Sequence, residues 1–207
     1  MPVRPAPARD PEATRRRLVE AAVRLILRQG FAATGVGQIC TEAGVTKGAF
    51  FHHFEGKEAL ALAVIRAWSA HGTALYAAAW ADPDADPLDQ LHALLDIMAG
   101  LAQRPGQPCV CAIGNLTQER AATHPDIRRA CAQELGVWTE NARRLLAAAK
   151  ARHRPAADFD PAEVAWFLNS LWQGSMLVAK TGPGARLITD NLRLARAWLD
   201  SLFATET

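Results

Sequence analysis

The segment at residues 46–54 constrains this chain more than any other, because its pattern fits one short helix with an inward and an outward side. Thr46 is a good helix-capping residue, and the acidic and glycine residues after Phe54 allow a new helix to begin near Lys57. Helical spacing places Phe50 and Phe54 on one stripe, so we expect these two rings to face inward. The other side chains of the segment then form an outer surface that is available for contacts.

A second short helix is predicted immediately upstream of this segment. Val36, Ile39, Cys40 and Ala43 follow the apolar spacing of one helical face, and Gly44 allows a tight turn. A helix, a glycine turn and a further helix form the helix-turn-helix pattern. The same pattern is typical of helix pairs that serve only as scaffold, so periodicity alone leaves both interpretations open.

The residues from Thr14 to Leu62 resemble the TetR family of bacterial repressors. The matching positions are Arg28-Gln29-Gly30-Phe31, Thr34, Ile39, Ala43-Gly44-Val45, Lys47-Gly48, Phe50, His52-His53-Phe54 and Lys57-Glu58-Ala59-Leu60. This resemblance implies an all-α fold of nine helices, with an N-terminal three-helix helix-turn-helix domain and a C-terminal helical domain for ligand binding and dimerisation. We therefore expect a disordered arm at residues 1–9, a DNA-binding domain at residues 10–56 and a regulatory and dimerisation domain at residues 57–207.

Three positions depart from the family pattern. Gly35 stands where Ser or Thr is common, Gly37 where a larger polar residue is usual, and Phe51 where Tyr is usual. Because residues 35 and 51 carry no hydroxyl, we expect Thr34, His53, Lys57 and helix-end N–H groups to hold the phosphates of the DNA backbone. Carbonyl capping by the two histidines and core packing of Phe51 are the alternative roles. The predicted DNA-contacting residues are Thr34, Gln38, Thr46, Lys47, Gly48, Ala49, Phe51, His52, His53 and Lys57, with Lys47, Gly48 and Ala49 at the base edges.

Positive charge is concentrated near this motif. The net charge is only +2, which by itself indicates no nucleic-acid partner. Residues 1–60 contain nine Lys or Arg and six Asp or Glu, whereas the rest of the chain contains fourteen and fifteen. The excess coincides with the predicted helix-turn-helix, as contact with phosphates requires. The alternatives are a solvated face for Arg15, Arg16 and Arg17 and a frayed terminus for the basic arm.

Composition places the chain among all-α proteins with a substantial core. Half of its 207 residues are hydrophobic, and alanine and leucine dominate. The pairs Asp10-Pro11 and Asp160-Pro161 each predict the opening of a helix, with Asp as the cap and Pro in the first turn. No apolar run has the length of a membrane span, and the N-terminus lacks the apolar segment of a signal peptide. We therefore expect a cytoplasmic protein with no membrane partner, whose four cysteines are thiols.

Two long apolar helices are predicted at the C-terminus, at about residues 161–181 and 184–204. A monomer does not need so much apolar surface to close its core. We predict that they pair with the same helices of a second copy in a four-helix bundle, an arrangement that the resemblance also implies. An unusually buried pair within one chain is the alternative. The predicted interface residues are Phe167, Leu171, Val178, Leu192, Ala195, Trp198, Leu199 and Leu202.

A helical body attached to a DNA-binding dimer suggests control by a small-molecule inducer. No cofactor and no metal site are predicted. Plain core packing is the alternative role for each residue that we assign to the inducer pocket. The candidate lining residues are His92, Met98, Asn115, Trp138, Trp166, Trp172 and Met176.

Cys109 and Cys111 follow Pro108 and open a helix predicted at about residues 109–122. The N–H groups and the dipole at such a helix start favour a thiolate. Residues 111–116 and 177–180 resemble the family branch of NemR and AcuR, which is associated with reactive electrophiles and unsaturated small acids. By this resemblance Cys111 is the sensing thiol and Lys180 its partner. Plain packing of Cys111, or a soft metal held by both cysteines, is the alternative.

Two function classes compete with the regulator. One is a thiol-dependent enzyme or stress-protective protein, and the other is a carrier of apolar ligands. The chain has no Cys-x-x-Cys, no glycine-rich phosphate loop after a strand and no paired acid-base groups at a defined spacing. A carrier would leave the basic N-terminal quarter without a role. We therefore predict a non-enzymatic transcriptional repressor that binds a palindromic DNA operator as a homodimer.

Overall fold

The computed structural model describes residues 10–80, 82, 84–106 and 109–203, so the predicted arm at residues 1–9 lies outside the described residues. Within these ranges every regular element is a helix, as predicted, and there are nine of them. Among these described helices, none is both long enough and apolar enough to span a membrane. The helices are α1 (Pro11–Gln29), α2 (Val36–Ala43), α3 (Lys47–His53), α4 (Lys57–Trp80), α5 (Pro87–Ala102), α6 (Ala112–Arg120), α7 (Pro125–His153), α8 (Pro161–Ala179) and α9 (Ala185–Phe203).

Three of the longer helices begin with the same Asp-Pro pair. Asp10, Asp86 and Asp160 each accept a hydrogen bond from the backbone N–H two residues later, at 3.0, 2.8 and 2.7 Å. The proline that follows has no N–H to leave unsatisfied, and its fixed φ suits the first helical turn. The helix openings predicted at residues 10 and 160 are thus confirmed, and α5 begins in the same way.

The short helix α6 differs from its prediction. It begins at Ala112, and Cys111 is its N-cap, with an extended backbone at φ −102° and ψ 121°. The Sγ of Cys111 accepts the N–H of Gly114 at 3.4 Å. A side-chain acceptor three residues before a backbone N–H fixes where a helix starts. Cys109 and Val110 therefore precede the helix and are not part of it.

Two groups of buried apolar side chains hold the helices together. The first joins α1 to α4 with α6 and the start of α7, and it includes Phe31, Phe50 and Leu60 from the first quarter of the chain. Leu116 and Ile127 are buried in the same group. The second group joins the later part of α4 with α5, α7, α8 and α9. The predicted DNA-binding domain is therefore completed by residues of α6 and α7.

Candidate nucleic-acid interface and ligand cavity

Helices α2 and α3 form the helix-turn-helix that the sequence predicts. Gly44 ends α2 in the left-handed region at φ 64°, and its N–H donates to the carbonyl of Thr41 at 3.1 Å. Glycine adopts this conformation without a steric penalty, so it suits the turn. Thr46 then caps α3, because its Oγ1 accepts the N–H of Ala49 at 3.1 Å. These two local contacts fix the direction of α3.

The outer side of α3 carries most of the predicted DNA-contacting residues. Phe50 is fully buried and packs against Phe54, with ring centroids 5.8 Å apart, so α3 is held by its inner stripe as predicted. Phe51 is 57% exposed, which makes it a surface residue and excludes core packing. The residues of the predicted set that are exposed or half-buried on and around α3 are Thr46, Lys47, Gly48, Ala49, Phe51, His52 and His53.

Two polar residues before α3 have structural roles in the loop and the start of α2. Thr34 is only 1% exposed, and its hydroxyl donates to the carbonyl of Gly30 at 2.6 Å. This burial corrects the prediction that Thr34 holds a phosphate, because its hydroxyl is directed into the protein. Gln38 is exposed, and its Oε1 accepts the N–H of Gly35 at 2.8 Å. The amide of Gln38 therefore caps α2, which leaves less of it available for DNA.

Lys57 is also engaged within the protein. Its Nζ donates to the carbonyl oxygens of Phe31 and Thr34 at 2.8 and 2.9 Å, and it lies 4.2 Å from the centroid of the Phe31 ring. Burial, followed by the nearby charge of Arg120, lowers the pKa of Lys57. These contacts correct the prediction that Lys57 projects toward the DNA backbone, because its ammonium closes the loop between α1 and α2.

A cavity of about 510 Å³ lies between α1, α4, α7 and α8 and the segment before α6. This volume is in the range of small-molecule sites. Five aromatic side chains line it, and on one wall the hydroxyl of Ser69 donates to the carboxylate of Glu134. The cavity is thus mainly apolar, with a few polar groups that a ligand can contact. The lining aromatic residues are Trp68, Tyr76, Trp80, Trp138 and Trp172.

Four of the predicted ligand residues line this cavity, namely Cys111, Trp138, Trp172 and Met176. Five others do not, and three of these lie on α5 or α8 away from the cavity. Met98 is fully buried in the second core, the ring of His92 bonds to Asp200 at 2.6 Å, and Trp166 is 53% exposed on α8. These positions correct the prediction that the three side chains line the ligand pocket, because each lies on a face of its helix that is turned away from the cavity.

The sequence pattern did not identify the lining residues of α4, among them two tryptophans and a tyrosine. Trp68, Tyr76 and Trp80 lie on one face of α4, and all three border the cavity. The signal that could have found them is their spacing of eight and four residues, which returns to the same side of a helix. Burial raises the pKa of Tyr76 far above its usual range, and charge on Cys111 or Cys109 would raise it further.

Lys180 and Asn115 lie together in a smaller cleft between α1, α6 and α8. The Nζ of Lys180 donates to Oδ1 of Asn115 at 2.8 Å, and Nδ2 of Asn115 donates to the carbonyl of Ile26 at 3.2 Å. Neither side chain lines the larger cavity that Cys111 borders. This corrects their assignment to the ligand pocket, and Lys180 has the amide of Asn115 as its partner.

All four cysteines are free thiols in different environments. Burial and the neighbouring Cys111 raise the pKa of the Cys109 thiol to about 11. Burial also raises the pKa of Cys40 and of Cys131. Cys111 is half-buried at the cavity wall. Over the ranges that the structure describes, no three His, Cys, Asp or Glu side chains are grouped so that they could hold a metal ion.

The predicted dimer residues fall into two sets. Leu192, Ala195 and Leu199 are buried in the second core, and Leu171 and Leu202 pack against it. This burial corrects the assignment of Leu192, Ala195 and Leu199 to the dimer interface, because they face helices of their own chain. The assignment of the half-buried Leu171 and Leu202 stays a prediction. Phe167, Val178 and Trp198 are the second set, and all three are exposed. We call the large exposed apolar side chains of α8 and α9 the outer apolar face: Trp166, Phe167, Leu177, Val178, Leu194 and Trp198.

Comparison with known proteins agrees with this architecture. Residues 18–64 match the family described as bacterial regulatory proteins, tetR family, and residues 87–197 match the tetracyclin repressor-like C-terminal domain. The chain is 31% identical over 177 residues to the transcriptional regulator AcuR of Cereibacter sphaeroides, which covers 86% of this chain and 81% of AcuR.

Solved structures of known proteins have the same arrangement of helices. The regulatory protein TetR from Rhodobacter sphaeroides superposes with a TM-score of 0.80 at 28% identity, covering 89% of this chain and 97% of that protein. The reduced form of Escherichia coli NemR has the same fold, with a TM-score of 0.79 at 24% identity over 94% of this chain and 98% of NemR. The family binds DNA operators, typically as dimers that respond to ligands. The chain therefore belongs to the TetR family of DNA-binding transcriptional regulators.

Proposed function

We propose that the protein is a homodimeric repressor whose two α3 helices enter successive major grooves of a palindromic operator. The observation that carries this proposal is the exposed outer side of α3, with Lys47 in its first turn and Phe50 buried behind it. Gly48 allows close approach to the base edges, and the ring of Phe51 can pack on a thymine methyl. Thr46, Ala49, His52 and His53 complete the proposed surface, and Gln38 borders it.

The proposed domains are residues 10–56 for DNA binding and residues 57–207 for regulation and dimerisation, with α4 connecting them. We assign dimerisation to the outer apolar face. Exposed apolar side chains of this size are rarely grouped on a monomer unless they form an interface. Two of them already contact each other, since the rings of Phe167 and Trp198 lie 5.1 Å apart at their centroids. Two such faces would form a four-helix bundle from α8 and α9 of both copies.

We infer that an inducer occupies the aromatic cavity and that Cys111 is a sensing thiol within it. Cys111 supports this role because it lines the cavity and its Sγ caps α6. The resemblance to the NemR and AcuR branch suggests an electron-poor alkene, an aldehyde, an oxidant or an unsaturated small acid. With an electron-poor alkene, Cys111 would lose its thiol proton to water and Sγ would form a thioether at the β-carbon as the C=C π bond breaks, while the α-carbon would take a proton from water. An adduct at Cys111 would remove the cap of α6.

The relatives are transcriptional regulators, and this favours a regulator over a thiol-dependent stress protein or a carrier of apolar ligands. We place its action in the cytoplasm, where the operator is, and assign it no cofactor.

Selection of duplexes from a random pool by the purified full-length protein tests the proposal. We expect enrichment of a palindrome whose half-sites are about one helical turn apart, with an affinity that falls as salt rises. Failure to enrich any common sequence would contradict the proposal.

A further inference from the structure

The loop at residues 30–34, between α1 and α2, is held on two sides by charged groups. The carboxylate of Glu119, at the end of α6, accepts the N–H of Phe31 at 3.0 Å and the N–H of Ala32 at 2.6 Å. On the other side, Lys57 donates to the carbonyls of Phe31 and Thr34. Two consecutive N–H groups of this loop are thus bound by α6, and the carbonyls of Phe31 and Thr34 are bound by α4.

Two neighbouring residues fit this arrangement. Gly30 has a φ of 84°, and a Cβ at this position would lie 2.8 Å from Oε1 of Glu119, so glycine allows the turn and leaves room for the carboxylate. Arg120, the residue after Glu119, pairs with Glu58 at 2.9 Å and lies 5.1 Å above the ring of Phe31. The end of α6 therefore contacts both the loop and the first turn of α4.

Helix α6 connects these contacts to the cavity. Cys111 and Ile113 line the cavity at its start, and Glu119 lies at its end. Between them, Asn115 donates to the carbonyl of Ile26 in α1. Nine residues at about 1.5 Å each make a rod of roughly 13 Å. The DNA-binding helices are therefore attached to the body along the whole length of one short helix.

We propose that Glu119 is a positioning residue that fixes the orientation of the DNA-binding helices on the dimerisation helices. This inference rests on the proposed function, because it requires two copies on one operator. Charge-assisted hydrogen bonds to two consecutive N–H groups are directional, so they restrict rotation of the loop more than apolar contacts do. A fixed orientation sets one distance between the two α3 helices, and hence the half-site spacing that the dimer accepts.

The test compares full-length Glu119→Gln with Glu20→Gln, which removes the same charge from an exposed position of α1. The amide in Glu119→Gln keeps the size of the side chain but turns one of its two acceptors into a donor that faces an N–H. Affinities are measured for the selected operator and for duplexes with one, two or three base pairs inserted between the half-sites. The parent and Glu20→Gln should lose at least about tenfold in affinity with the first insertion.

Glu119→Gln should bind the original operator about tenfold more weakly than the parent does. Its affinities for the original operator and the three lengthened duplexes should differ from one another by less than about threefold. A uniform loss at every spacing, with the parental profile retained, would overturn the inference, because Glu119 would then only support stability. If the parent binds no duplex, the proposed function itself fails.

Hydrogen exchange in the free protein gives a second readout that needs no DNA. At least one of the amides of Phe31 and Ala32 should exchange at least about tenfold faster in Glu119→Gln than in Glu20→Gln, because glutamine keeps only one of the two acceptor oxygens. Equal exchange in the two variants would overturn the inference. Glu119→Asp keeps the charge but is one methylene shorter, so it should give an intermediate rate and serves as the second variant if Glu119→Gln does not fold.

Discussion

Lys57 and Phe31 are joined twice, because the ammonium of Lys57 donates to the Phe31 carbonyl at 2.8 Å and also lies 4.2 Å from the centroid of the Phe31 ring. Phe31 is itself only 1% exposed. The contact therefore ties the first turn of α4 to the core of the DNA-binding helices, and it gives Lys57 a role in stability.

Lys57→Met should lower the free energy of unfolding by about 1–3 kcal/mol, since two carbonyls lose a charged donor while the apolar stem remains. Chemical denaturation followed by circular dichroism measures this change. Arg66→Met, at an exposed position of α4, is the control and should differ little from the parent. Unchanged stability together with a smaller salt dependence of DNA binding would instead assign Lys57 to a phosphate.

Lys47→Ala should reduce the preference for the selected operator over a scrambled duplex by about 1–3 kcal/mol, because the side chain that we place at the base edges is lost. Titration of both duplexes by fluorescence anisotropy measures the difference. Arg193→Ala removes one positive charge from α9 and should leave the preference intact. A Lys47→Ala protein that discriminates like the parent would contradict the proposed surface of α3.

Trp198→Glu should produce a folded monomer, because it puts a charge into the outer apolar face, where Trp198 is 40% exposed. Leu199→Glu should unfold the chain instead, since Leu199 is fully buried in the second core. Sedimentation velocity and thermal melting separate the two outcomes. Ala148→Glu, at an exposed position of α7, should remain a dimer. A dimeric Trp198→Glu protein would place the interface elsewhere.

Iodoacetamide should label Cys111 first and Cys109 slowly at neutral pH. With a pKa of about 11, Cys109 is thiolate in only roughly one molecule in a thousand at pH 8. Its labelling rate should therefore rise about tenfold per pH unit until the pH approaches that pKa. Peptide mapping by mass spectrometry follows both sites in the parent. Faster labelling of Cys109 than of Cys111 at pH 7 would contradict the assignment of the sensing thiol.

The features that could be predicted from the sequence are those that neighbouring residues determine. The inward stripe of Phe50 and Phe54 and the Asp10 and Asp160 helix openings depend on residues within a few positions of each other, and all are confirmed. Lys57 bonds to carbonyls 26 and 23 residues away along the chain, and spacing along one helix says nothing about them.

The residues of the cavity and of the outer apolar face were harder to predict from the sequence. Periodicity shows which apolar residues share one face of a helix, but it does not show what that face packs against. Leu199 and Trp198 are adjacent, yet one closes the core of its own chain and the other is exposed. Met98 and Trp138 are both large apolar residues of the regulatory helices, and only Trp138 reaches the cavity. The loop contacts of Glu119 join residues 87 and 88 positions apart, so only the folded chain brings them together.

The six tryptophans divide into two groups by location. Trp68, Trp80, Trp138 and Trp172 line the cavity, whereas Trp166 and Trp198 lie on the outer apolar face. Intrinsic emission from this protein therefore has two independent origins. A chromophore bound in the cavity should quench the fluorescence of the first group. Dilution below the dissociation constant of the proposed dimer should red-shift the emission of the second group. Single-tryptophan substitutions to phenylalanine would make each of these events separately visible without any attached dye.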